Sequence, residues 1–302
     1  MNTAKVSRRA FLAGSVAMAG VAGLTEKTAQ AAEESLPQVD QPGRTPHTPF
    51  SVNIEMWFDG PFEQRIVKAA QLGFPAIEFW AYEKHDIDLM ARLLNEHKMT
   101  VSQFTAWGFG TELNNPYATA DNFMAAIEKS CQVAEKLPGC NMFCVVAGND
   151  IEKLTRKEMH NAVIAKLRKA VPILEKYRKT IILEPMNPYN HPGHCLYGSS
   201  DSIAICQAVG SPWVKLNWDL FHMQRTEGNL IDNMRRGKDY IGYLQLADSP
   251  DRNEPGTGEL NYTRIFQAIH EIGYQLPIGL ECSPQDGNAD RAARRIYAAD
   301  TW

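Results

Sequence analysis

Residues 50–302 predict a single-domain α/β fold of the (β/α)8 barrel type. From Phe50 onward, short apolar runs alternate with amphipathic, charged stretches of helical length. The alternation repeats eight times in about 250 residues, the count and size of such a barrel. A doubly wound open sheet normally carries a Gly-rich phosphate turn after its first strand, and "EMWFDGPFEQ" is not one.

The strand candidates in order are "FSVNIEMWF" (50–58), "AIEFW" (76–80), "TVSQFTAW" (100–107) and "MFCVV" (142–146). Then come "TIILEPM" (180–186), "VKLNWDLFH" (214–222), "IGYLQLAD" (241–248) and "PIGLEC" (277–282). Among the intervening helices, "PFEQRIVKAAQLG" opens with Pro61, suited to a first turn, and stops at Gly73. "ATADNFMAAIEKSCQVAEKL" is a second. "EKLTRKEMHNAVIAKLRKAVPILEKY" is the longest, with a kink expected at Pro172.

The N-terminus reads differently. Arg8 and Arg9 precede a weakly apolar, Gly/Ala-rich stretch, and Ala29 and Ala31 supply a small-x-small cleavage site. That stretch is too short to cross a bilayer core of about 30 Å. The order Ser-Arg-Arg-x-Phe-Leu resembles a twin-arginine export signal over residues 1–31, which makes the twin-arginine translocase a partner during export and the periplasm the expected location. Residues 32–49, with four prolines, read as a flexible linker. Loss of residues 1–31 removes Lys5, Arg8, Arg9, Lys27 and Glu26, taking the formal charge from −4 to −7. An acidic chain without a long basic run excludes phosphate-backbone binding as the leading function. No later stretch approaches a membrane span, so no stable membrane insertion is expected after cleavage. The six cysteines are dispersed without CxxC pairs, which favours buried thiols and leaves one disulfide open. Oligomeric state, including a homo-oligomer, is left open.

In a barrel of this kind the reacting groups stand at the C-terminal strand ends. Strands one to four finish in Trp57, Trp80, Trp107 and Val146. Strands five to eight carry Glu184, Asp219, Gln245 and Glu281, separated by 35, 26 and 36 residues, each one βα unit. Four oxygen-bearing side chains from neighbouring strands would converge on one side of the mouth. Three carboxylates so close repel and shift one another's pKa, and a divalent cation would relieve that. Oxygen ligands suit Mg²⁺ or Mn²⁺. Trp57, Trp107 and Phe109 are candidates to wall a sugar-sized substrate pocket. Gly256 and Gly258 in "EPGTGELNY" are candidates to seat a substrate oxygen on backbone amides. Lys215 is a candidate for a charge contact beside the site. His191 and His194 read as loop residues before ligands.

The segments "EPMN", "KLNWDLFHMQRTEG", "LQLADSPDRNEPGTGELNY" and "IGLEC" resemble the hydroxypyruvate isomerase branch of the xylose-isomerase-like TIM barrels. The wider group holds sugar isomerases, keto-sugar epimerases and an endonuclease of abasic DNA. The resemblance implies Glu184, Asp219, Gln245 and Glu281 as metal ligands, with Glu184 and Glu281 also the acid/base pair. It further implies that His222 and Arg252 hold substrate oxygens. Where the branch often has Gly-His before the strand-seven Gln, this chain has Gly242-Tyr243.

Isomerising an α-hydroxy carbonyl moves a proton between neighbouring carbons through an enediolate, which a cation would stabilise and two carboxylates could serve. The expected function is therefore a metal-dependent isomerase of a small hydroxy-carbonyl or sugar. A keto-sugar 3-epimerase or a lyase on an oxidised glycoside is the alternative. A periplasmic sugar-binding protein is the non-enzymatic one, disfavoured because binding alone does not need both glutamates.

Overall fold

The computed structural model describes residues 36–302, of which Gln38–Trp302 form one compact unit. The twin-arginine signal and its cleavage site lie outside the described residues.

Eight parallel strands close into a barrel in sequence order, and the first pairs with the last. They are β1 (Phe50–Asn53), β2 (Ala76–Phe79), β3 (Thr100–Trp107), β4 (Met142–Val146), β5 (Thr180–Glu184), β6 (Val214–Asp219), β7 (Ile241–Leu246) and β8 (Ile278–Leu280). The connections carry α1 (Ile54–Trp57), α2 (Phe62–Gln71), α3 (Ile87–Glu96), α4 (Asp121–Lys136), α5 (Arg156–Tyr177), α6 (Ser199–Val209), α7 (Leu220–Thr226), α8 (Leu230–Gly237) and α9 (Tyr262–Glu271). The last, α10 (Ala289–Ala299), follows β8. The expected (β/α)8 fold is the one observed.

β1 and β6 end earlier than their apolar runs suggest, for the same reason. Asn53 accepts the backbone N–H groups of Glu55 and Met56, turning "IEMW" into the short helix α1. Asp219 accepts the N–H of Phe221 at 2.8 Å and starts α7. A side-chain oxygen at the N-cap satisfies amides that the turn would leave bare, and this overrides the apolar pattern. α5 runs unbroken through Pro172.

The main apolar core lies between the strands and the helices. The barrel interior is different. Cys144, Val146, Ile182, Met186 and Tyr243 form a small apolar cluster, and the rest is polar: Ser51, Asn53, Glu78, Gln103, Asn217 and Gln245 are all buried. Gly279, opposite Gln245 in the β7–β8 register, makes room for them. A Cβ there would lie 2.3 Å from Glu78 Oε2 and 2.7 Å from Gln245 Cγ.

The segment read as a flexible linker is anchored over its second half. Gly43 donates to the Leu72 carbonyl at 2.7 Å. Buried Asp300 accepts from the amides of His47 and Thr48 and from the Thr48 hydroxyl, at 2.7–2.9 Å. These bonds correct the linker reading for residues 43–48: the chain is tied down before β1 begins. All six thiols are buried and unpaired. Among the described residues no helix is long and apolar enough to cross a membrane.

Asp300→Ala should leave three donors without their acceptor and cost roughly 1–3 kcal/mol. Urea denaturation checks this: the midpoint falls while the slope stays unchanged, because the loss is local and the exposed surface is not altered.

Candidate active site

The C-terminal ends of the strands surround a cavity of about 330 Å³ lined by Trp80, Thr105, Phe109, Glu184, Met186, His191, His222, Arg252 and Glu281, with Ala81, Gly108 and Val146. Glu184 closes β5 and Asp219 closes β6, while Glu281 directly follows β8. Ligand atoms of Glu184, Asp219 and His222 lie within 4.8 Å of one another.

The Glu184 carboxylate accepts a hydrogen bond from Cys144 Sγ at 3.0 Å. Burial, then the charges of Glu281 and Asp219, push its pKa well above the usual carboxylate range. Burial also raises Asp219, although Arg252 and the Phe221 amide oppose the shift. One Asp219 oxygen takes that amide. No hydrogen bond reaches the other, Oδ2, which is buried 3.5 Å from His222 Nε2 and 3.7 Å from Arg252. Glu281 accepts from Trp80 Nε1 at 3.0 Å and from Arg252 at 2.7 Å.

His222 stands in this cluster, and its tautomer can be read from its neighbours. Asn187 Oδ1 accepts from the amides of Tyr189 and Asn190, at 3.0 and 2.9 Å. That fixes the orientation of the Asn187 amide and leaves its Nδ2 to donate to His222 Nδ1 at 2.7 Å. Burial, reinforced by Arg252, holds the ring's pKa well below its ordinary value, so it is neutral. The proton is then on Nε2, the nitrogen facing Glu184 and Asp219 at 3.6 and 3.5 Å. His222 presents a donor to the cavity, not a lone pair. A divalent cation is therefore better served by the carboxylates, and the unmet Asp219 Oδ2 fits one.

Arg252 is held by the loop whose glycines were candidates to seat a substrate oxygen, with a plain βα loop as the other reading. The Gly256 and Gly258 amides do not face the cavity: both donate to Asp248 Oδ2, at 3.0 and 2.9 Å. Ser249 and Leu260 donate to its Oδ1, so one buried carboxylate gathers four amides. A Cβ at Gly258 would sit 2.1 Å from the Ser249 carbonyl. Arg252 itself adopts a left-handed φ of 61°, a conformation that costs a non-glycine residue about 1–3 kcal/mol and persists only when over-determined. The bonds from Arg252 N to the Asp248 carbonyl and from Ser283 N to the Arg252 carbonyl do so.

The remaining expected residues fall in three places. Gln245 is buried, donating from Nε2 to Glu78 at 2.8 Å and accepting at Oε1 from Asn217. Trp107 packs edge-on against Phe123 of α4 and does not line the cavity. The register shift between Thr105 and Trp107 against β4 breaks the alternation that would have aimed it inward. Trp57 likewise packs on Phe74. Of the three expected wall residues Phe109 lines the cavity, stacked on His191, and Trp80 joins it there. Lys215 points out of the barrel, to the Asp239 carbonyl at 2.6 Å. His194 is a structural residue bonded to Gly148 and Leu196.

The sequence reading missed Asp248, Asn187, Cys144 and Glu78. Glu78 stands in the middle of β2, fully buried, with its pKa raised to about 8 by burial and then by Glu281. An acidic residue inside an otherwise apolar strand run was the available signal.

Residues 66–299 match the family described as Xylose isomerase-like TIM barrel. The hydroxypyruvate isomerase of Escherichia coli K12 is 32% identical over 242 residues, covering 78% of this chain and 93% of the relative. The 2-oxo-tetronate isomerase of Cupriavidus necator is 31% identical over 248 residues, covering 80% and 94%. The crystal structure of an AP endonuclease, family 2, from Brucella melitensis superposes with a TM-score of 0.76 at 27% identity, covering 83% and 98%.

Glu78, Glu184 and Asp219 all have raised pKa values in the fold. Above the unfolded value near 4.5 the folded protein keeps protons that the unfolded chain has released, so stability falls as pH rises toward about 8. Thermal melts in chelator across that window should show a falling Tm, and excess Mn²⁺ should flatten the slope. A Tm that rises with pH would contradict the charge balance described.

Proposed function

The chain belongs to the xylose isomerase-like TIM barrel family, and from that membership we propose a metal-dependent isomerase of a small hydroxy-carbonyl or sugar substrate, exported by the twin-arginine route. Relatives named as isomerases of hydroxypyruvate and 2-oxo-tetronate support the isomerase class. The observation that carries the reading is a buried acid cluster with an unmet Asp219 oxygen between two cavity-lining glutamates.

Glu184, Asp219 and Glu281 would hold Mg²⁺ or Mn²⁺ by their carboxylates. Gln245 would add its amide oxygen, which keeps a second lone pair beside the bond from Asn217. The bound ion supplies positive charge against the oxyanion that develops when a proton leaves carbon. His222 donates from Nε2 to a substrate oxygen, and Arg252 donates beside it. Met186 and Val146 keep that wall of the cavity apolar. Glu184 and Glu281 take the proton from one carbon and return it to its neighbour, the work of a general acid/base pair.

A second reading has its own support. Trp80 and Phe109 are 43% and 53% exposed at the mouth, and a cavity of this volume falls in the range that encloses ligands larger than a three-carbon acid. That favours a keto-sugar, turned over by epimerisation or by elimination, in which a proton leaves the carbon beside the carbonyl and the leaving group departs from the carbon beyond it. Phe109→Ala should then raise KM for ring-bearing keto-sugars and leave hydroxypyruvate unchanged.

A screen of both substrate classes in heavy water with Mn²⁺ tests the activity. Solvent deuterium should appear on product carbon. Glu184→Gln and Glu281→Gln should each keep Mn²⁺ binding and lose about 10²–10⁴-fold in kcat, whereas Asp219→Asn should lose Mn²⁺ binding first. Full activity in Glu281→Gln with no deuterium uptake would sink the acid/base assignment.

A further inference from the structure

Glu78 is not among the residues that line the cavity, yet four side-chain donors converge on it. Tyr243 Oη donates to its Oε2 at 2.8 Å and Gln103 Nε2 to the same oxygen at 3.4 Å. Gln245 Nε2 donates to its Oε1 at 2.8 Å, and Asn53 Nδ2 lies 3.4 Å from that oxygen. The direction of these bonds is fixed from outside. Asn53 spends its own oxygen on the amides of Glu55 and Met56, so only its nitrogen can face Glu78. Glu78 Oε1 is therefore an acceptor, and an acceptor at this distance admits the nitrogen of Gln245 and rejects its oxygen. The Gln245 oxygen is left for β6, where Asn217 donates to it and Asp219 stands two residues further along the strand.

We propose that Glu78 is a positioning residue that turns the Gln245 amide so that its oxygen, not its nitrogen, faces the β6 side of the site. The proposal rests on the reading of Gln245 as an oxygen donor to a divalent cation. A freely rotating amide would offer a cation its NH₂ group in one of two orientations, and an NH₂ group has no lone pair to give. Groups that hold a ligand in its binding orientation typically contribute about 10–100-fold in metal affinity when removed. The close fit of Gly279 against both side chains keeps the pair in contact, since a Cβ would occupy the space that they share.

The test is Mn²⁺ titration of the chelator-stripped full chain, followed by the electron paramagnetic resonance signal of free Mn²⁺, with thermal melts to confirm folding. Glu78→Met removes the acceptor at similar length and should weaken Mn²⁺ binding about 10–100-fold. Glu78→Gln, which retains an acceptor oxygen for Gln245, should stay near the parent. Glu78→Asp withdraws the acceptor by one methylene and reads the same effect where Glu78→Met does not fold. In a Gln245→Ala background, Glu78→Met should cause no additional loss, because the two act as one unit. Unchanged affinity in folded Glu78→Met and Glu78→Asp would overturn the proposal, as would losses that add in full with Gln245→Ala. A parent protein that binds no Mn²⁺ would overturn the metal reading itself, and Glu78 with it.

Discussion

The barrel mouth is organised around negative charge that the fold does not neutralise. Glu184, Asp219 and Glu281 stand together, and Glu78 lies beneath them, all within a closed ring of strands. The cation brought against the upper three is Arg252, bonded to Glu281 and 3.7 Å from Asp219. Burying carboxylates costs several kcal/mol each unless something pairs with them. The upward pKa shifts of Glu78, Glu184 and Asp219 express that cost. The polar interior follows from the same constraint. Interiors of such barrels are ordinarily filled by branched aliphatic layers; here Asn53, Gln103, Tyr243 and Gln245 take those places and donate to Glu78, while Asn217 donates to Gln245.

Each candidate side chain is oriented by a specific partner. Asn187 sets the tautomer of His222, Asp248 gathers the loop that carries Arg252, and Trp80 fixes one oxygen of Glu281. The glycines of that loop serve the same end from within the protein. Their amides are drawn to Asp248 and are not offered to a ligand. The loop's anion site is filled by the chain's own carboxylate, and the strained φ of Arg252 is the geometric consequence.

Much of this was legible in the sequence, and what was not has a common cause. Eight apolar runs at βα spacing gave the barrel, and strand-end position gave Glu184, Asp219 and Glu281 because parallel strands bring their C-termini to one face. Periodicity does not register caps, so Asn53 and Asp219 ended strands that the apolar pattern carried on. Nor does it register a bulge, so Trp107 was assigned to the wall that Trp80 and Phe109 provide. Amide orientation is also invisible to it: nothing in "EPMNPYN" shows that Asn187 spends its oxygen on two backbone amides. Glu78 carried the plainest overlooked signal, a carboxylate inside a buried run, and was passed over because it does not stand at a strand end.

The two glutamates of the proposed reaction occupy unlike surroundings, which bears on the direction of proton transfer. Glu281 accepts from a guanidinium and an indole N–H. Glu184 faces a thiol, a weak donor, and lies beside Met186 and Val146 in the cavity wall. Where two carboxyl groups share a site, unlike environments separate the one that starts with the proton from the one that starts without it. In the proposed reaction Glu184, whose pKa burial raises, would hold the proton that is delivered, and Glu281 would meet the substrate's carbon acid. In that reaction His222, an Nε2 donor 3.6 Å from Glu184 and 3.5 Å from Asp219, would hold the substrate oxygen on their side.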